Sequence, residues 1–215
     1  MRPRDAATLI IIRDDREVLL GVRTAHHVFM PHCYVFPGGR VDPGDSRVAS
    51  PFALRADVEA QLTESVSPAR ARGLAMAAIR ETFEETGLLL GSPTAKPLRT
   101  RSPHWQPFYA TGLAPALDKL DYFSRAITPP RMVRRFDARF FTVDARYVSG
   151  ELRGNGELDD LAWFDLDAVD DLKLAPITRL VLQLLRQRLS ESDEQPDVLP
   201  LYRKLNRKEL FGHNR

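Results

Sequence analysis

No apolar stretch of this chain is long enough to cross a bilayer. The longest uninterrupted run near its start is residues 9–12, between Thr8 and Arg13, against the ~20 residues a spanning helix needs. Neither a transmembrane segment nor a signal peptide is therefore expected, no membrane partner is expected, and the cytoplasm is the expected compartment. Cysteine is nearly missing too. The single Cys33 excludes an internal disulfide and a multi-cysteine zinc site. Charge of one sign is not in excess: 31 Lys and Arg against 29 Asp and Glu leave a net charge of +2. That balance gives no global attraction to nucleic acid. Internal repeats and low-complexity tracts are absent. What is present is an ordinary globular composition of 215 residues, 43% hydrophobic and 28% charged, which suits one domain and leaves little room for two.

Local charge is less even. Residues 157–171 hold seven acids and no Lys or Arg, whereas residues 201–215 hold five bases against Glu209. Both read most simply as solvated surface. Residues 1–190 are assigned to the domain and 191–215 to a polar, then basic, tail. Residues 6–12 and 17–23 read as two strands joined by a turn at Asp14-Asp15-Arg16. Pro37-Gly38-Gly39 and Pro43-Gly44-Asp45 are loop signals. Ser50-Pro51 predicts a short helix over 52–62, and Ser67-Pro68 predicts a longer one over 69–86 that Gly87 terminates. Residues 91–107 read as loop, 115–126 as a helix broken by Pro129-Pro130, 135–143 and 161–164 as strands. Residues 176–189 form an amphipathic helix with Ile177, Leu180, Val181, Leu184 and Leu185 inward. Strands and helices interleave, so the class is α/β or α+β.

The 69–86 helix carries the chemistry. At roughly 100° per residue, with Glu81 at 0°, Glu85 falls near 40° and Glu84 near 300°, so three carboxylates share one narrow face. Ala75, Met76, Ile79 and Phe83 lie opposite, and Arg80 flanks Glu84. Like charges at this spacing repel. A divalent cation reverses that sign, and hard oxygen ligands suit Mg²⁺ or Mn²⁺. Taken alone, such a face is more often a solvated acidic surface.

The surrounding residues change that weighing. Arg80-Glu81-Thr82-Phe83-Glu84-Glu85-Thr86-Gly87-Leu88 resembles the second half of the Nudix box. The first half stands at Phe36-Pro37-Gly38-Gly39-Arg40-Val41-Asp42-Pro43-Gly44-Asp45, where Gly39 matches the opening glycine and Asp45 takes the place of the first Glu. Two departures stand out. Thr82 replaces an apolar residue, and residues 46–79 supply 34 residues where the box has seven, an insertion of 27 that occupies residues 46–72. Loop closure costs grow only logarithmically with length, so the insertion need not part the two halves. Within the superfamily the chain resembles the coenzyme A diphosphatases, such as the peroxisomal enzymes of mammals and their bacterial relatives. That likeness rests on Ala6-Ala7-Thr8, Phe29-Met30-Pro31, Ile127-Thr128-Pro129-Pro130 and Arg134-Arg135-Phe136-Asp137.

The resemblance implies a Nudix α/β/α sandwich with a mixed central sheet and a loop-helix-loop motif. It also implies a Mg²⁺- or Mn²⁺-dependent diphosphatase whose partner is a small nucleotide derivative, with coenzyme A or acyl-coenzyme A first and ADP-ribose, NADH or dinucleotides as alternatives. Glu84 and Glu85 are the implied metal ligands, Glu81 a third ligand or the general base, and the Gly38 carbonyl a further ligand. Arg80 would orient the cluster. Glu157, ahead of Asp159 and Asp160, ranks first as a base from a later loop. Arg23 and Arg40 flank the glycine loop as substrate contacts. Arg134 and Arg135, with Arg131, read equally as phosphate ligands or exposed loop. Trp105 and Phe108 read as core, and His26, His27, His32 and His104 as loop residues without a role. A nucleotide sensor that does not cleave is a second reading, weakened by the presence of Arg80, Glu81, Glu84 and Glu85 together. An RNA-end hydrolase using the basic tail is a third, and nucleic acid is not the expected partner. The insertion is expected to add a helix near the site or at a homodimer interface.

Overall fold

A computed structural model describes residues 2–25, 30–130, 132, 134–190, 200–205 and 208–213, the last two segments as backbone. The strands are β1 (Arg4–Arg13), β2 (Glu17–Arg23), β3 (Tyr34–Val35), β4 (Gly38–Arg40), β5 (Gly91–Pro93), β6 (Leu113–Pro115), β7 (Asp121–Ile127), β8 (Phe136–Asp144), β9 (Leu158–Asp165), β10 (Pro200–Leu205) and β11 (Lys208–His213). The helices are α1 (Ala56–Thr63), α2 (Pro68–Thr86), α3 (Gln106–Ala110) and α4 (Pro176–Ser190).

β1 organises the sheet because it is apolar on both faces, the pattern of a strand covered from two sides. It runs parallel to β8 from Arg4 opposite Phe136 to Ile12 opposite Asp144. On its other side β4 pairs with Ala6, Ala7 and Thr8, while β2 pairs with Ile12 and Arg13. The sheet therefore forks beside β1, with β9 added to β2. Ala7, Leu9 and Ile11 of β1, Leu19 of β2 and Phe141 and Val143 of β8 face α1 and α2. Ile10, Val18, Leu20 and Phe140 face Val181, Leu182 and Leu185 of α4 on the opposite side. This mixed sheet between helical layers is the expected α/β/α sandwich. No helix among the described residues is long and apolar enough to cross a membrane.

Helix α2 forms where its caps predict. The Ser67 hydroxyl accepts from the Arg70 amide, a proline opens the first turn, and Gly87 closes the helix at φ 74°, in the left-handed region. Helix α1 starts at Ala56, later than Ser50-Pro51 predicted. Ser50 is spent elsewhere: its hydroxyl donates to the Pro115 carbonyl and accepts from the Phe52 amide. The insertion's helix packs within the chain, its Val58 and Leu62 buried and Arg55 paired with Asp121 at the start of β7.

The predicted helix over 115–126 is a correction. Apart from a 3-10 turn at Leu117–Lys119, this segment supplies β7, which pairs antiparallel with β8. Its lack of a breaker suited a helix, but the free edge of β8 and the aromatic pair Tyr122 and Phe123, buried on opposite sides of the sheet, decide for a strand. In α4 the inward face includes Leu182, and Leu180 is only half-buried. The tail is not wholly irregular: β10 and β11 form a hairpin, and β10 runs parallel to β7.

Candidate active site

The pairing of β4 with β1 brings Gly38 and Gly39 against the C-terminal half of α2, although 34 residues separate Asp45 from Arg80. The Gly38 amide donates to Glu85 Oε2 at 2.8 Å. A Cβ on Gly39 would collide with the Glu81 carboxylate, so only glycine lets strand and carboxylate approach this closely. Helix α2 presents the remaining carboxylate, Glu84, one turn from Arg80.

Arg80 is buried and holds the cluster together. Its Nη1 lies 2.8 Å from Glu84 Oε2 and 2.9 Å from Glu81 Oε1. Its Nε and Nη2 donate to the two oxygens of Asp45 at 2.8 and 3.0 Å, and Nη2 also donates to the Arg40 carbonyl at 2.9 Å. Asp45, the stand-in for the first Glu of the box, is fully buried. It accepts two further bonds, from the Trp105 indole at 2.8 Å and the Asp42 amide at 2.7 Å. Burial works to lower the Arg80 pKa, but Asp45, Glu81 and Glu84 outweigh it and raise it. Thr82 fits its buried position because its hydroxyl donates to the Ala78 carbonyl at 2.8 Å.

The electrostatics of the carboxyls are unbalanced. Burial pushes Glu81 up to about 7, with Glu84 and Glu157 adding to the rise and Arg80 opposing it. Glu85 is pushed well above its ordinary value, again first by burial, then by Glu81 and Glu157, against the Gly38 amide and Arg23. Glu157 is exposed in the loop before β9, near enough that its charge raises both carboxyls. Its carbonyl accepts from the Thr24 amide, which ties that loop to the end of β2. A shallow cleft of about 330 Å³ opens around this loop, lined by Leu152, Gly154, Gly156, Leu158, Asp159 and Asp160, among others.

Arg23 is largely buried beside Glu85 and Glu157; desolvation lowers its pKa, and those two carboxylates with Cys33 oppose the change. Arg40 turns its side chain outward, contributing only its carbonyl to Arg80. Arg134 and Arg135 lie at the foot of β8, separated from β4 by β1. Arg134 is exposed, and Arg135 donates to the Thr128 carbonyl at 3.1 Å. Arg131, His26 and His27 lie outside the described residues. Trp105 and Phe108 are buried core residues, as expected. Two contacts escaped the sequence reading, both from the segment before α3. Trp105 reaches Asp45, and His104 Nδ1 lies 3.6 Å from Glu84 Oε1. Separations of 60 and 20 residues leave no periodic signal for either.

Among the described residues no three His, Cys, Asp or Glu side chains stand converged in a metal-ligating group. Arg80 draws Glu81 and Glu84 to itself, and the Gly38 amide draws Glu85. The donor set nevertheless fits a hard divalent cation. The buried Glu85 and the partly buried Glu81, one turn apart and with raised pKa values, are costly as anions unless a cation joins them.

No family model and no curated protein matches the chain. Solved structures do. A NUDIX hydrolase from Alicyclobacillus acidocaldarius is 27% identical over 91% of this chain and 99% of its own, with a TM-score of 0.65. A MutT NUDIX hydrolase from Burkholderia pseudomallei is 21% identical over 86% and 98%, with a TM-score of 0.51. The NUDIX domain of Shewanella oneidensis NrtR, solved with ADP ribose, is 14% identical over 88% and 90%, with a TM-score of 0.50. The two more distant likenesses bear on the fold alone. The fold is that of these Nudix hydrolase structures, and the likeness to the Alicyclobacillus enzyme supports a hydrolase acting on phosphoric anhydrides.

Proposed function

We propose that this chain is a Mg²⁺- or Mn²⁺-dependent diphosphatase of a nucleoside diphosphate linked to a second group. We take coenzyme A or acyl-coenzyme A as the substrate, split to 3′,5′-ADP and (acyl)phosphopantetheine. The observation that carries the hydrolase reading is the burial of Glu81 and Glu85 together against Gly38-Gly39, with too little positive charge to balance them. The choice of coenzyme A rests on the sequence motifs around the box, above all Phe29-Met30-Pro31 and Ile127-Thr128-Pro129-Pro130.

Glu81, Glu84 and Glu85, with the Gly38 carbonyl, would hold the cation. Bound there, it neutralises diphosphate oxygens and supplies Lewis acidity. The chain's own residues do the rest. Arg80 fixes Glu81 and Glu84 from behind, and the Gly38 amide fixes Glu85. Arg23 sets a guanidinium beside the carboxylates, where it would pair with a substrate phosphate. Glu157, at the solvent side, takes the proton from the attacking water as one diphosphate P–O bond breaks and a phosphate ester leaves. Arg40, Arg134 and Arg135 stand further out, as contacts for the 3′-phosphate.

Mass-spectrometric product analysis tests this reading. The protein is incubated with Mg²⁺ or Mn²⁺ and a panel of coenzyme A, acetyl-coenzyme A, ADP-ribose, NADH and diadenosine polyphosphates, with Glu85→Gln as control. Release of 3′,5′-ADP from coenzyme A, lost in the variant, is the expected result. Turnover of another member alone would replace the substrate. No turnover of any member would favour a nucleotide-sensing module.

A further inference from the structure

We propose that Trp105, which lies outside the Nudix box, is a positioning residue for the carboxylate cluster: its indole N–H holds Asp45, Asp45 holds Arg80, and Arg80 holds Glu81 and Glu84. The inference deepens the metal-dependent hydrolase reading above and rests on it. Each link is a direct contact, and Trp105, Asp45 and Arg80 are buried. Oδ1 of Asp45 receives Arg80 Nε and the indole at 2.8 Å each. Oδ2 receives Arg80 Nη2 at 3.0 Å and the Asp42 amide at 2.7 Å. Asp45 and Trp105 are both wholly excluded from solvent. Water therefore cannot replace the indole if it is lost.

The aspartate makes the indole necessary. Asp is one methylene shorter than the Glu that the box has at this place, so its carboxylate reaches Arg80 with less chain to follow it. Rotation about the Cβ–Cγ bond of Asp is broad and weakly restrained. With the Asp42 amide alone holding one oxygen, that carboxylate turns and takes the guanidinium with it. The indole fixes the other oxygen. Nη1 of Arg80 then stays between Glu81 and Glu84, within 2.9 Å of each. The segment before α3 is itself set against α2 by Phe108, which meets Phe83 edge-on at 5.4 Å. Trp105 also packs against Phe108 and Tyr109, so a phenylalanine in its place keeps much of the packing and removes only the donor.

The test compares wild type, Trp105→Phe, Asp45→Asn and the double variant by kcat and KM on the substrate found above. Mn²⁺ affinity by electron paramagnetic resonance and the thermal midpoint complete the set. Trp105→Phe is expected to lower kcat about tenfold and to weaken Mn²⁺ binding several-fold, with KM within about twofold. Adding it to Asp45→Asn is expected to cost nothing further, because the two act through one link. Additive losses, or a lowered midpoint with unchanged kcat and Mn²⁺ affinity, would mean that Trp105 only packs, and would overturn the inference while leaving the hydrolase reading intact. A wild type that neither binds Mn²⁺ nor cleaves a diphosphate overturns that reading and the inference with it. Should Trp105→Phe not fold, Asp45→Asn decides: weakened Mn²⁺ binding in a folded protein supports the chain of contacts, and wild-type affinity overturns it.

Discussion

At the start of α2, Arg70 pairs with Asp5, and close by Asp137 receives both Arg125 and the fully buried Arg139. At its other end Glu81, Glu84 and Asp45 divide a single guanidinium, that of Arg80, while Glu85 accepts from the Gly38 amide with Arg23 nearby. Both clusters are ionic and built around a buried arginine, Arg139 in the first and Arg80 in the second. They differ in sign. Around Asp137 burial works to raise the carboxyl pKa, but the Arg125 and Arg139 bonds prevail and lower it. Around Glu81 and Glu85 burial prevails and both rise. The first cluster pairs its carboxylate within the chain: it fastens β7 to β8 and, through Arg139 to Ser65, the insertion to the sheet. The second leaves Glu81 and Glu85 with raised pKa values, and on the proposed reading a divalent cation completes it.

This contrast can be broken at either end. Glu85→Gln removes the most deeply buried glutamate of the second cluster. Activity is expected to fall by about a thousandfold, with a thermal midpoint no lower than wild type in metal-free buffer. Asp137→Ala should do the opposite. Leaving Arg139 buried without its carboxylate is expected to cost about 3 kcal/mol of folding stability by urea unfolding, with kcat of the folded fraction unchanged. Gly39→Ala would push the Glu81 carboxylate from the strand and lower kcat by about a hundredfold. Arg23→Ala, at the proposed phosphate contact, should raise KM by about tenfold and change kcat less.

Much of this was legible in the sequence, for local reasons. Ser67-Pro68 and Gly87 state where α2 begins and ends. The 81, 84, 85 spacing states which face carries the anions. Helix periodicity put Arg80 beside Glu84, whereas the glycine pair could be joined to that face through the resemblance alone, because its approach depends on β4 pairing with β1. Other features depended on partners distant in sequence. Ser50 looked like a cap, but tertiary structure turns it to the Pro115 carbonyl. Residues 121–127 carry no breaker and were open to either periodicity until β8 supplied an edge. Trp105 read as core and is core; that its indole also serves Asp45 follows only from the fold.

The most direct measurement is thermal unfolding of the metal-free protein as a function of pH, repeated with Mn²⁺. Glu81 rises in the folded chain from 4.5 to about 7. A carboxyl whose folded pKa lies above its unfolded value lends stability at low pH that is lost as pH rises through that window. Glu85 adds in the same direction. The midpoint should therefore decline from pH 4.5 through 7, Mn²⁺ should restore it above pH 7, and Glu81→Gln should flatten the decline. A midpoint that is level or rising across that range and indifferent to Mn²⁺ would contradict the claim that these carboxylates form a cation site.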